Sequence, residues 1–105
     1  MGLLAACVNL KEIIVNSPDL NKIADGTYQG NSKVGPVRVT LDVTIQEKSI
    51  NSIKIIRHFN GLGKKAEAIV PKIIETQSLD IDVISGATGS SKAILLAVEN
   101  ALAKK

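Results

Sequence analysis

Aromatic residues are nearly missing from this 105-residue chain: Tyr28 and Phe59 make up the whole 2%, and there is no tryptophan. A protein that stacks nucleic-acid bases needs more such rings, so no nucleic-acid partner is expected. The net charge of +3 does not reverse this, because the lysines are scattered and end in Lys104-Lys105 rather than forming a patch. There is one cysteine, Cys7, which excludes a disulfide framework or a Cys-based zinc site within the chain. Long apolar runs are missing too. The longest, the opening Met1 to Val8 and Ala93 to Val98, fall far short of the ~20 residues of a membrane-spanning helix. Asp80 and Asp82 stand two apart, the wrong spacing for one helix face, and suggest no metal site.

What the chain does have is hydrophobic residues, 45% of the total, beside 22% charged. That composition belongs to a globular domain rather than a disordered tail. A single domain of this length buries roughly 65% of its extended surface.

The clearest signal is in the middle of the chain. Val37, Val39, Leu41, Val43 and Ile45 alternate with Arg38, Thr40, Asp42 and Thr44, the period of a strand with one buried and one wet face. Gln46 to Ser49 is polar and hairpin-sized, and Ile50 to Phe59 reads as the returning antiparallel strand. Upstream, Asp25 to Gly30 reads as a turn followed by a short strand. Further back, Ser17 is placed to cap a short helix with Pro18 at its first position. After Asn60-Gly61-Leu62-Gly63, the residues Ala66, Ile69, Val70, Ile73 and Ile74 recur at helical spacing. Pro71 interrupts that stripe and is expected to start a second helix or kink one. Gln77 to Ile84 is a connection with room for a little strand. A C-terminal helix follows from Ser90, with Ser90 or Ser91 as N-cap and Ile94, Ala97, Val98, Ala101 and Leu102 on one face. The fold class is therefore α+β: a small antiparallel sheet covered on one face by helices.

The segment with chemical potential is Asp82-Val83-Ile84-Ser85-Gly86-Ala87-Thr88-Gly89-Ser90-Ser91. Small residues run from Ser85 to Ser91 straight into a helix N-terminus. Gly86 and Gly89 permit close backbone approach, and the N–H groups of a first helical turn attract a phosphate without any cationic side chain. Lys92, just inside the helix, is placed to add a charge. On composition alone a flexible loop with a serine cap is the simpler account.

The string DVISGATGSS, however, resembles the motif of the FMN-binding domain family, whose members include flavin subunits of sodium-pumping and ferredoxin-oxidising membrane complexes and extracytoplasmic lipoproteins. The resemblance extends from about residue 24 to 103 and includes Asp25-Gly26-Thr27-Tyr28, Gly30, the Ile50 strand and Gln77-Ser78. It implies FMN as cofactor, attached through a phosphoester to the hydroxyl of Thr88. It also implies that Ser85, Gly86, Ala87, Gly89, Ser90 and Ser91 form the cofactor loop and that the α+β domain ends in the helix after it. Nothing beside Thr88 looks like a base for that hydroxyl, which fits the family's dependence on a separate flavin transferase. Asp82 is then a recognition residue for the transferase, or equally a turn residue before the loop. Many relatives carry a Glu-Thr-Pro-Gly-type loop where this chain has His58-Phe59-Asn60-Gly61-Leu62-Gly63, so contacts made by that loop do not transfer.

His58, the only histidine, is expected at the surface or half-buried, with a flavin-edge or phosphate contact as its functional alternative. Tyr28 suits core packing better than packing over the ring. With so few aromatics, a flavin here is expected against aliphatic side chains or solvent rather than between rings.

Leu4-Ala5-Ala6-Cys7 is similar to the lipobox of bacterial lipoproteins, although only six uncharged residues precede Cys7. It implies residues 1–7 as a signal-peptide remnant, Cys7 as the lipidation site, 8–24 as a partly helical spacer and 25–105 as the FMN-binding domain. The plainer account is a short apolar start with a chance cysteine. The combined expectation is an extracytoplasmic, lipid-anchored bacterial module that carries FMN and moves electrons to or from a membrane partner, with no catalytic residue of its own. Two alternatives stay open: a module that binds FMN or another phosphorylated ligand noncovalently, and a structural or interaction domain of a surface lipoprotein.

Overall fold

A computed structural model of the chain describes residues 15, 17–35, 37–59, 66–84 and 87–103. Three antiparallel strands form one sheet in the order β1 (Gly26–Val34), β2 (Val37–Gln46) and β3 (Ser49–Phe59). The alternating set on β2 lies entirely in the core, with Leu41, Val43 and Ile45 fully buried. Among the described residues, the helices α1 (Ile69–Thr76) and α2 (Thr88–Ala103) cover that face, α2 over β1 and β2 and α1 against β3. The α+β arrangement is as the sequence implies.

The β2–β3 turn consists of Glu47 and Lys48, both left-handed at φ 53° and 63°. A two-residue hairpin with both central residues at positive φ matches the twist of the strands, although Asn-Gly serves it better. The Glu47 N–H is held by the Asp25 carboxylate at 2.9 Å. Beyond the turn, β3 carries two irregularities in its register with β2. Ile50, Ile53, Ile55 and His58 stand opposite Ile45, Val43, Leu41 and Val39, which leaves Asn51 and Ile56 as extra residues. Each bulge moves the alternation by one residue. The one at Ile56 therefore turns His58, not Arg57, to the helix-covered face, while Ile56 itself is half exposed.

Several local expectations change. The strand after Asp25 is nine residues long rather than short. Its exposed first half and polar partners hid it from a hydrophobicity pattern. Ser17 caps no helix: its hydroxyl accepts from the Leu79 N–H at 2.8 Å, and a short 3-10 turn, Leu20–Lys22, is capped by Asp19 instead. Pro71 is the third residue of α1, not its first, because the N–H it lacks is unbonded in a first turn anyway. The expected break falls at Ala68, between the helical residues Ala66 and Glu67 and α1. No strand occurs among the described residues of the 77–84 connection. Gln77 ends α1 in a left-handed conformation at φ 57° and sends its side chain to the edge of β3. There its amide oxygen accepts from the Ile50 N–H at 2.6 Å, and its nitrogen donates to the carbonyls of Ile50 and Ile74.

Candidate functional site

Helix α2 is fixed on the sheet by three contacts along β1. Gly30 faces the helix backbone at Ala97 and Ala101 so closely that no side chain fits between them. Further on, the Ser32 hydroxyl donates to the Ala93 carbonyl at 2.5 Å. Asn100 donates its side-chain N–H to the Asn31 carbonyl at 2.8 Å. The order of these contacts runs the helix against the direction of β1. Its N-terminus therefore lies toward the Val34 end of the sheet, where β2 begins and β3 ends.

The first helical hydrogen bond runs from the Ser91 N–H to the Ala87 carbonyl, 2.9 Å, so Thr88 is the first residue inside the helix. The start is earlier than the Ser90 or Ser91 cap read from the sequence. Ser90 and Ser91 are instead buried in the first turn, and the Ser91 hydroxyl accepts from the Ile84 N–H at 3.1 Å. The Ala87 N–H in turn donates to the Ile84 carbonyl at 2.9 Å. These two bonds tie the chain entering the loop to the helix that leaves it. Thr88 and Gly89 remain half-buried at the rim, Ala87 is buried beneath them and Asp82 is exposed.

A first helical turn presents N–H groups that have no acceptor within the helix, and they carry the positive end of its dipole. No acidic residue stands in the first turn of α2 to compete for them. An anionic group esterified to the Thr88 hydroxyl, or resting beside it, meets favourable electrostatics there.

The lone histidine is half-buried as a residue, as the sequence implies, while its ring is buried. Its imidazole is 4% exposed, and Nδ1 lies 3.3 Å from Oε2 of Glu67, whose side chain is 39% exposed. Nε2 is buried and has no hydrogen-bond partner among the described residues. Glu67 went unnoticed in the sequence. The only available signal was that one acidic and one imidazole side chain flank the Gly61-Leu62-Gly63 segment, nine residues apart. His58 is opposite Val39, and Val39 opposite Ser32, the residue bonded to α2 at Ala93. The imidazole therefore shares the helix-covered face and the Val34 end with the start of α2.

Tyr28 stands toward the other end of β1, where its hydroxyl donates to the Ala24 carbonyl at 2.6 Å. It belongs to the core periphery rather than to this site. Ser85, Gly86, Asn60 to Gly63 and Cys7 lie outside the described residues. No helix among the described residues is long and apolar enough to cross a membrane, and none of their acidic, histidine or cysteine side chains group as a metal site.

Residues 33–103 match the sequence profile of the FMN-binding domain. The chain belongs to the FMN-binding domain family. Two relatives have been found by sequence. One is an uncharacterized protein of Treponema pallidum (strain Nichols), 31% identical over 84 residues, covering 77% of this chain and 23% of that protein. The other is the NADH:acrylate oxidoreductase of Vibrio harveyi, 40% identical over 79 residues, covering 72% of this chain and 8% of that protein. The chain thus spans less than a quarter of either relative. FMN is the cofactor of this FMN-binding domain, and the residues at this end of the sheet suit it: a first helical turn without an acidic residue, a hydroxyl at its first position and, on β3, a buried imidazole nitrogen with no partner among the described residues.

Proposed function

We propose that this FMN-binding domain is an electron carrier whose FMN is joined by a phosphoester to Thr88. The observation that carries the reading is the place of Thr88, half-buried at the first position of a 16-residue helix. A phosphate on its hydroxyl lies against the N–H groups of that turn, so the charge left on the diester is stabilised by the backbone. The tail of the cofactor is held in this way, and the ring supplies the redox chemistry. Ala87 packs beneath the attachment point and the Ser91 hydroxyl holds the loop to the helix. Asp82, exposed ahead of the loop, is available for recognition by a flavin transferase.

The same reading places the domain outside the bacterial cytoplasmic membrane, tethered by lipid on Cys7 and exchanging electrons with a membrane-bound donor or acceptor. A covalent cofactor is retained where a lost one is not easily replaced.

The test is co-expression with a flavin transferase, followed by denaturing electrophoresis and in-gel flavin fluorescence. A fluorescent band in the parent protein and none in Thr88→Ala supports the ester. Flavin that washes out on denaturation supports noncovalent binding instead. The absence of flavin from both the native and the denatured protein leaves a structural or interaction domain.

A further inference from the structure

We propose that His58, oriented by Glu67, is the inward-facing hydrogen-bond partner of the FMN ring; the proposal rests on the reading that FMN is carried at Thr88. A buried polar nitrogen without a partner costs a protein on the order of 1–3 kcal/mol, and natural structures rarely leave one without a purpose. His58 pays for this position twice, once by burying Nε2 and once by interrupting the aliphatic face of β3, where Ile50, Ile53 and Ile55 precede it.

Glu67 explains how the ring is held. It reaches solvent and meets Nδ1, so it fixes the imidazole plane from outside and leaves Nε2 on the opposite edge, directed away from water. A carboxylate behind one nitrogen is the usual way in which a histidine is oriented for a contact at the other.

The contact is assigned to the ring rather than the phosphate by position. The phosphate is anchored at Thr88, on a helix that lies over β1 and β2. His58 is on β3, two strand spacings or roughly 10 Å across the sheet from Ser32. FMN, whose ribityl chain separates phosphate from ring, would span this distance with its tail at α2 and its ring toward β3. Both protonation states of the imidazole favour the reduced ring. A protonated Nε2 donates to ring atoms that gain electron density on reduction, and an unprotonated one accepts from the N–H that reduction creates.

The experiment uses flavinylated protein, with loading at Thr88 checked by mass, and compares the parent with His58→Leu and Glu67→Gln. Each is equilibrated with redox dyes at one fixed potential, and the ring is followed by its visible absorption. The loss of one hydrogen bond predicts that the reduced-to-oxidised ratio falls about 10-fold in His58→Leu, with a smaller fall in Glu67→Gln. The melting temperature of the flavin-free His58→Leu protein is expected at or above the parent value, because the substitution removes from the core a nitrogen with no partner among the described residues. Glu67→Gln changes a partly exposed side chain, so it remains informative if His58→Leu does not fold. An unchanged ratio and unchanged absorption bands in fully loaded variants overturn the proposal. Reduced loading with a normal ratio overturns it as well, since that result places His58 at the phosphate. A parent protein that takes up no flavin refutes the Thr88 reading instead, which keeps the two failures apart.

Discussion

Substituting Gly30 by alanine should unseat the helix that carries Thr88. A Cβ at Gly30 meets the Ala97 carbonyl oxygen at 2.1 Å, the Ala101 nitrogen at 2.5 Å and the Ala101 Cβ at 2.6 Å. The first of these is more than ~1 Å inside a close carbon–oxygen approach of about 3.3 Å. Two of the three obstacles are helix backbone, so no rotamer change relieves them and α2 must lift from β1. Overpacking of this kind costs about 1–3 kcal/mol, and backbone obstruction sets Gly30→Ala at the upper end or above. At ~4–8 °C per kcal/mol for a domain of this size, the melting temperature should drop by more than about 10 °C. The opposing effect is known in sign and size. Gly30 does not have a left-handed φ, so without the obstruction alanine would stabilise by ~0.4–1 kcal/mol through the unfolded chain. Thermal or urea unfolding of Gly30→Ala thus decides by sign alone, with Gln29→Ala on the exposed face of the same strand as control. Adding Ala101→Gly should recover only part of the loss, because the two backbone obstacles remain. An unchanged or raised melting temperature in Gly30→Ala would refute the close packing of α2 on β1.

Two further substitutions test the frame around the site. Gln77→Ala removes the amide that satisfies the Ile50 N–H and carbonyl at the edge of β3, and should cost about 1–3 kcal/mol in urea unfolding. A cost below ~0.5 kcal/mol would mean that water replaces those bonds freely. Replacing Glu47-Lys48 by Asn-Gly should stabilise the domain by roughly 1 kcal/mol, read as a rise in melting temperature, because both residues now hold positive φ with side chains ill suited to it.

The sequence made the central strand, the hairpin after it and the C-terminal helix legible because each buries one periodic face. Its motif also led to the helix start at which Thr88 sits. Other features depend on tertiary context and leave no periodic trace. Strand β1 is held by its partner β2 and by α2, and half of it faces solvent. The bulge at Ile56 reverses the faces of the last residues of β3, so alternation counted from Ile53 and Ile55 assigns Arg57 to the core and His58 to solvent. Ser17 and Gln77 spend their side chains on backbone groups 62 and 27 residues away, beyond the reach of any local pattern. The His58–Glu67 pair likewise forms only because Glu67 and the helix α1 that follows it return to β3.

The most direct test of the account is the intact mass of this protein after production with an active flavin transferase. The account predicts a gain equal to one FMN less one water in the parent, with fragmentation placing it on Thr88, and no gain in Thr88→Ala. A parent protein with its unmodified mass, or a Thr88→Ala protein carrying the same addition, would contradict it.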